Sequence, residues 1–231
     1  MPSPETIAEN ISRIRRQIAD YAAKYARNAS NVSLLAVSKT KPVADIQAAF
    51  EAGQRCFGES YLQEALDKIA ALQQLPIEWH FIGHIQSNKT LDIAHHFAWV
   101  HSVDRLKIAR RLSEQRPTDL PPLNVCLQIN ISAEASKSGI SLQQLDELAI
   151  QVAELPAIRL RGLMAIPARC DSFSEQRALF HQLNDALQGL NAQGLQLDTL
   201  SMGMSGDMEA AIAEGATIVR IGTAIFGPRS T

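Results

Sequence analysis

Leu34-Leu35-Ala36-Val37-Ser38-Lys39-Thr40-Lys41-Pro42 is the stretch whose reading decides the fold. Four apolar residues run directly into Ser38 and Lys39, and Pro42 closes the segment. So short a run, after a polar stretch and before a helical pattern, predicts a buried parallel strand. Lys39 then stands at the carboxyl end of that strand, where α/β folds gather their chemistry. A lysine in this position can simply extend its ammonium to solvent. Alternatively its amine is desolvated, which lowers its pKa and leaves it nucleophilic, as Schiff-base chemistry requires.

Outward from this strand, short apolar runs alternate with helical patterns. The runs are 32–37, 55–57, 78–82, 98–101, 123–131, 158–164, 199–201 and 217–221. Helix-like segments occupy 43–52, 60–73, 87–96, 104–115, 141–154, 173–192 and 206–214, with Asp104, Ser141 and Ser205 at N-cap positions. Eight strands with intervening helices predict an α/β fold, a closed (β/α)8 TIM barrel. A doubly wound open sheet is the alternative. The even strand count and the lack of a dinucleotide fingerprint favour the barrel. Ahead of the first strand, Ser3-Pro4 reads as an N-cap followed by a first-turn proline. Ile7, Ile11, Ile14, Ile18, Tyr21 and Tyr25 then form one apolar stripe, an extra amino-terminal helix. No linker or composition shift divides the chain, so residues 1–231 are expected to form a single domain. Only 167–174 looks loose.

Composition excludes several function classes. A hydrophobic share of 46% and a charged share of 20% describe an ordinary globular protein. A net charge of −2 gives no electrostatic ground for a nucleic-acid or membrane partner. No run reaches the length of a membrane span, and Met1-Pro2-Ser3-Pro4-Glu5 lacks the layout of a signal peptide. Cys56, Cys126 and Cys170 are far apart and form no C-x-x-C, as expected of reduced thiols in a cytoplasmic protein. Neither His80 with His84 nor His95 with His96 has a carboxylate or thiol to complete it in the sequence, so no metal site is expected. The arginines of the first helix (Arg13, Arg15, Arg16) and those at Arg105, Arg110, Arg111 and Arg116 read as solvated faces.

In a barrel the residues just after each strand converge on one face. Strand one supplies Lys39, strand two Glu59 and Ser60, strand three Gly83 and His84, and strand six Met164 and Pro167. Strand seven runs into Ser201-Met202-Gly203-Met204-Ser205-Gly206-Asp207, and strand eight into Arg220-Ile221-Gly222-Thr223. Barrels often bind phosphate with the loops after strands seven and eight. Ser201, Ser205, Gly222 and Thr223 offer the hydroxyls and unhindered amides that this needs. Strand alternation turns Arg220 and Gly222 to the same side, where Arg220 could pair with Glu59 or hydrogen-bond a ligand ring nitrogen. An amine, a phosphate cradle and an arginine facing a ring nitrogen together describe a pyridoxal phosphate site.

The same residues carry a family resemblance. Leu35-Ala36-Val37-Ser38-Lys39-Thr40-Lys41-Pro42, Phe57-Gly58-Glu59-Ser60-Tyr61, Trp79-His80-Phe81-Ile82-Gly83 and Gln86-Ser87-Asn88-Lys89 are motifs of this kind. So are Ser136-Lys137-Ser138-Gly139, Gly162-Leu163-Met164-Ala165-Ile166-Pro167, Ser201-Met202-Gly203-Met204-Ser205 and Arg220-Ile221-Gly222-Thr223. In order and over almost the whole chain, they resemble the pyridoxal phosphate homeostasis proteins of the YggS/PROSC type. The resemblance implies a barrel of the alanine-racemase amino-terminal type, with pyridoxal 5′-phosphate held as an aldimine (Schiff base) on Lys39. It implies phosphate contacts from Ser201, Ser205, Gly222 and Thr223, and Arg220 at the pyridine nitrogen. Ser60 and Met164 complete the implied cofactor-binding set, and Lys137 is a second amine near the mouth. Ser60 stands where the family usually has asparagine, His84 where proline is common, and Gly206 where aspartate is common.

Such family members serve vitamin B6 homeostasis without established catalysis, and apoenzymes that receive the cofactor are the implied partners. The expected protein is a cytoplasmic monomer. The alternative is a pyridoxal-phosphate-dependent racemase or related enzyme; a lysine aldolase without cofactor is a third reading. A racemase needs acid/base groups on both faces of the substrate α-carbon, and Lys39 supplies one. Alanine racemase takes the other, a tyrosine, from a carboxyl-terminal β domain, which a chain ending at Thr231 is expected to lack. Only Tyr61 lies near a strand end. An arginine at the ring nitrogen would also weaken the electron sink.

Overall fold

The computed structural model describes residues 6–132 and 138–228. Its strands are β1 (Ser33–Val37), β2 (Cys56–Glu59), β3 (Glu78–Phe81), β4 (Trp99–Val103), β5 (Leu123–Ile129), β6 (Ile158–Ala165), β7 (Thr199–Ser201) and β8 (Ile218–Ile221). Each pairs in parallel with the next and β8 returns to β1, closing the barrel. The helices are α1 (Ile7–Lys24), α2 (Val43–Glu51), α3 (Leu62–Ala71), α4 (Thr90–His96), α5 (Leu106–Gln115), α6 (Leu145–Ala153), α7 (Phe173–Ala192), α8 (Met208–Ala213) and α9 (Thr223–Phe226). The predicted barrel and the extra first helix are both present. The four-residue α9 escaped prediction because it is too short to show a helical period.

Register fixes which side chains enter the barrel. Leu35 of β1 pairs with Arg220 of β8, so the two point the same way. Leu35 belongs to a small inner cluster with Trp99, Cys126, Met164 and Ile218, which identifies that side as the interior. With a period of two, Val37 and then Lys39 follow Leu35 on the inner side, toward the carboxyl end. A larger apolar layer lies between sheet and helices; Phe57, Phe81, Phe97 and Phe180 are wholly buried there. Among the described residues no helix is long and apolar enough to cross a membrane.

Helix α1 buries Ile11, Ile14, Ile18 and Ala22 and packs on α2, α8 and α9. Each of the three buried isoleucines stabilises the fold by about 1.5–3 kcal/mol. Its cap is Thr6, not Ser3: Thr6 Oγ1 accepts from Glu9 N at 3.3 Å and Glu9 Oε2 accepts from Thr6 N at 2.7 Å. Ser3 and Pro4 lie outside the described residues. Further expectations are corrected. Asp207, not Ser205, occupies the N-cap position of α8, and Arg105, not Asp104, that of α5, neither with a capping hydrogen bond from its side chain. One arginine of α1 does not belong to a solvated face: half-buried Arg13 donates to the Ala224 carbonyl at 3.2 Å, whereas Arg15 stays exposed while donating to the Gly53 carbonyl at 2.9 Å. Arg116 is buried, donating to the carbonyls of Ala94, Phe97 and Pro121. Helix ends expose carbonyls without intrahelical partners, and these guanidinium groups satisfy some of them.

Candidate functional site

At the carboxyl ends of the strands lies a cavity of about 570 Å³. Lys39, Ser60, Met164, Ser205, Arg220, Gly222 and Thr223 all line it, brought together from five strand ends. The loop judged loose forms one wall through Pro167, Ala168, Arg169, Cys170 and Asp171. His84 and Tyr61 are exposed and lie outside the lining; Ser136 and Lys137 lie outside the described residues.

Ser201 is the exception. Its side chain is wholly buried and does not line the cavity. Ser201 Oγ sits 2.9 Å from Arg220 NH1 and 2.7 Å from His101 Nδ1. Strand β7 ends on Ser201 with the hydroxyl turned into the barrel, so it supports Arg220 from beneath instead of facing a phosphate.

Local structure holds Lys39 at the rim of this space, half-buried. On one side, Ser38 Oγ donates to Glu59 Oε1 at 2.6 Å. Lys68 Nζ donates to that same oxygen and to the Ser38 carbonyl, each at 2.8 Å, and to Glu64. On the other side, Thr40 N donates to Glu64 Oε1 at 2.6 Å, and Lys41 Nζ donates to the Phe226 carbonyl at 3.0 Å. Residues 38, 40 and 41 are thus tied down, and the backbone at 39 has little freedom. Glu59, expected as a partner for Arg220, is instead committed to Ser38 and Lys68. Burial pushes its carboxyl above the usual range, against the pull of those two hydrogen bonds. Lys68 was not singled out in the sequence, although it falls three residues after Ala65 and four before Leu72 on the apolar side of α3, a place where an unpaired lysine is costly.

Thr40 has φ +64°, a left-handed conformation that a β-branched residue adopts only under strain. Thr40→Gly is expected to raise stability by about 1 kcal/mol, measured as a shift in the urea midpoint. The same change should loosen whatever Lys39 holds. Gly203 (φ +96°) and Gly222 let the two loops approach the barrel: a Cβ at Gly203 would lie 2.6 Å from Ala211 Cβ, and one at Gly222 3.2 Å from the Val37 carbonyl oxygen.

Arg220 forms the floor. Its NH2 donates to the Ala165 carbonyl at 2.9 Å and its NH1 to Ser201, both neutral acceptors. Burial lowers its pKa to about 10, with Asp207 acting in the opposite sense, so it remains a cation at neutral pH. From Ser201 a buried chain runs toward the amino end of the barrel. His101 Nε2 lies 2.9 Å from His80 Nδ1, and His80 Nε2 lies 2.9 Å from Glu78 Oε1. His80 is stacked on Trp99, with ring planes 2° apart.

The protons of this chain can be assigned. The His80 hydrogen bond holds Glu78 below the usual carboxylate range, so it is ionised and only accepts. His80 therefore carries a proton on Nε2. Burial lowers the pKa of both histidines, that of His101 strongly, and keeps the rings neutral. His80 Nδ1 then accepts from His101 Nε2–H, His101 Nδ1 accepts from Ser201 Oγ–H, and Ser201 Oγ accepts from Arg220. The order of donation is Arg220, Ser201, His101, His80, Glu78.

Unfolding exposes these histidines, which then take up protons near 6.5, whereas the folded protein keeps them neutral. Stability from this source is complete above that pH and is lost as pH falls below it. Below pH 6.5 the loss for each histidine is at most about 1.4 kcal/mol per pH unit, until the folded ring itself takes up a proton. Urea unfolding should show the decline, and His101→Gln should make it shallower.

The chain matches the model of the alanine racemase N-terminal domain over residues 5–230. It is 62% identical over 224 residues to the pyridoxal phosphate homeostasis protein of Pseudomonas aeruginosa, covering 97% of this chain and 96% of that one. The corresponding protein of Escherichia coli is 56% identical over 226 residues, covering 96% and 97%. Among solved structures, PipY of Synechococcus elongatus PCC7942 with PLP bound is 38% identical, with a TM-score of 0.85 over 96% of this chain and 100% of that one. Alanine racemase from Corynebacterium glutamicum, at 19% identity and a TM-score of 0.71 over 96% of this chain and 60% of that one, shares the fold. An eight-stranded barrel with an added first helix, a lysine leaving β1 and an arginine floor therefore belongs to the pyridoxal phosphate homeostasis protein family, built on the alanine racemase N-terminal domain.

Proposed function

We propose that the cavity binds pyridoxal 5′-phosphate and that the protein serves the homeostasis of this cofactor without catalysing a reaction on an amino acid. The observation that carries the reading is Arg220: a buried cation on the cavity floor whose two side-chain hydrogen bonds among the described residues go to neutral acceptors. Its charge and remaining N–H groups are available to an acceptor in the cavity. The donor set fits the group. Lys39 offers an amine, Arg220 a donor for an unprotonated ring nitrogen, and the loops at Ser205–Asp207 and Gly222–Thr223 offer amides and hydroxyls for a phosphate.

When bound, pyridoxal phosphate supplies an aldehyde for reversible attachment to an amine and a conjugated ring that absorbs in the near ultraviolet and visible. The protein's residues supply the rest. Lys39 would attach the cofactor, Ser205, Gly222 and Thr223 would hold the phosphate, and Met164 and Ser60 would wall the ring. Arg220, always a donor, would keep the ring nitrogen free of a proton. That arrangement weakens the ring as an electron sink and so suits retention better than removal of an α-proton. Lys39 is the lone amine of the described lining, and no tyrosine lies opposite it. A mouth bordered by exposed Ile166 and Met204 leaves a route for delivery to recipient apoenzymes. Among the described residues all three cysteines are free thiols, which supports a cytoplasmic location, and the proposed unit of action is the monomer.

The test is a titration of the cofactor-free protein with pyridoxal phosphate and with pyridoxal. Loss of the phosphate is expected to weaken binding at least about 100-fold, near 2.7 kcal/mol. Equal affinity for the two would remove the phosphate role of the loops. In deuterated water, α-proton exchange on L- and D-alanine should stay at the rate given by free cofactor. Turnover that depends on Lys39 would restore the racemase alternative.

A further inference from the structure

At the amino end of the barrel, remote from the cavity, the structure brings together a thiol, a carboxylate and an imidazole. Cys56 opens β2 and pairs in register with Glu78, which opens β3, and His80 follows two residues later on the same inner side. Cys56 Sγ lies 3.5 Å from Glu78 Oε1, His80 Nε2 lies 2.9 Å from it, and the three donor atoms are all within 4.8 Å of one another. The sequence shows His80 beside His84 and no completing ligand. The missing ligands come from register across two strands.

We propose that Cys56, Glu78 and His80 form a binding site for a divalent cation of the zinc class, and that its occupancy reverses the hydrogen-bonded chain beneath Arg220. One sulfur, one nitrogen and one oxygen donor suit zinc, whose tetrahedral bonds set donors roughly 3.5 Å apart. Three protein ligands leave a fourth position for water, and the Glu78 side chain is 46% exposed, which gives solvent access. The supporting shell is already built. His101 holds the far nitrogen of His80 and Trp99 stacks on its ring, the kind of orientation that metal-ligating histidines receive. Without a cation, burial and then the neighbouring Glu78 carboxylate push the Cys56 thiol up to about 12. A cation would stabilise both anionic ligands together.

The proton balance is simple. The ion takes the place of the Cys56 Sγ proton, which leaves to solvent, and the carboxylate is already ionised. Once Nε2 ligates the ion, neutral His80 must carry its proton on Nδ1 and donate to His101 Nε2. His101 then donates from Nδ1 to Ser201 Oγ, which accepts from both His101 and Arg220, and the serine proton turns elsewhere. The histidine protons are redistributed and one proton is released per ion.

Titration of the full-length protein with Zn2+ by calorimetry, and with Co2+ by absorption, reads the site whether or not pyridoxal phosphate binds. We expect one ion per chain, a sulfur-to-cobalt charge-transfer band, and release of one proton. Cys56→Ser should abolish the band and weaken zinc at least 100-fold, and Glu78→Gln should weaken it as well. Cys170→Ser, at the other thiol beside a carboxylate (Glu175), should leave the cobalt band and the zinc affinity as they are. Nitrogen-15 spectra should move the His101 proton from Nε2 to Nδ1 on addition of zinc. Absence of the band, undiminished binding by Cys56→Ser, or a His101 proton that stays on Nε2 with the ion bound would each overturn the proposal.

Discussion

Lys39→Ala is expected to lower affinity for pyridoxal phosphate at least about 100-fold and to remove the absorption band of the attached cofactor. The variant loses the covalent link but keeps Arg220 and both loops, so weak, fast-exchanging binding should survive. Stability of the cofactor-free protein should change little, because Lys39 is half-buried and faces the cavity. Spectral loss with a retained urea midpoint would separate attachment from folding. A variant that still shows the full band would mean that another amine holds the cofactor.

The second large effect concerns Lys68. Its side chain is 5% exposed and Glu59 is wholly buried, so Lys68→Met strands a carboxylate inside the protein. Removing one partner of a buried ion pair costs about 3–5 kcal/mol, which for a chain of this size is roughly 10–15 °C in Tm. The loss should depend on pH. With its carboxyl raised by burial, Glu59 is more readily neutral in the folded than in the unfolded protein. The penalty is therefore least at low pH and grows as pH rises above about 4.5, where the unfolded carboxyl ionises. Glu59→Gln together with Lys68→Met should recover much of the stability, since an amide needs no counter-charge. The single variant should also retain cofactor poorly, because the Ser38 carbonyl beside Lys39 loses its donor.

Much of this was legible in the chain itself. The first apolar run placed Lys39 at the carboxyl end of its strand, alternation placed Arg220 and Gly222 on one side, and the serines and glycines after β7 and β8 identified the loops of the cavity. Ser201 was misplaced because β7 is only three residues long, and whether its last side chain points into the barrel or out of the mouth depends on register with β8. The same limit hid the chain of His80, His101 and Ser201, whose members are separated by 21 and 100 residues and meet only across the closed barrel. Lys68 gave a local signal, a lysine within an apolar stripe, but its partner Glu59 is set by how α3 packs back on β2. Pairings along one strand or helix can be read from spacing, whereas pairings across the barrel interior need the register of every strand.

Borohydride reduction of the protein loaded with pyridoxal phosphate, followed by peptide mass mapping, tests the central claim most directly. The account predicts one stable pyridoxyl-phosphate adduct, on the peptide bearing Lys39 and on that residue within it, not on Lys41. An adduct confined to another lysine, or no adduct from a protein that nonetheless binds the cofactor, would contradict it.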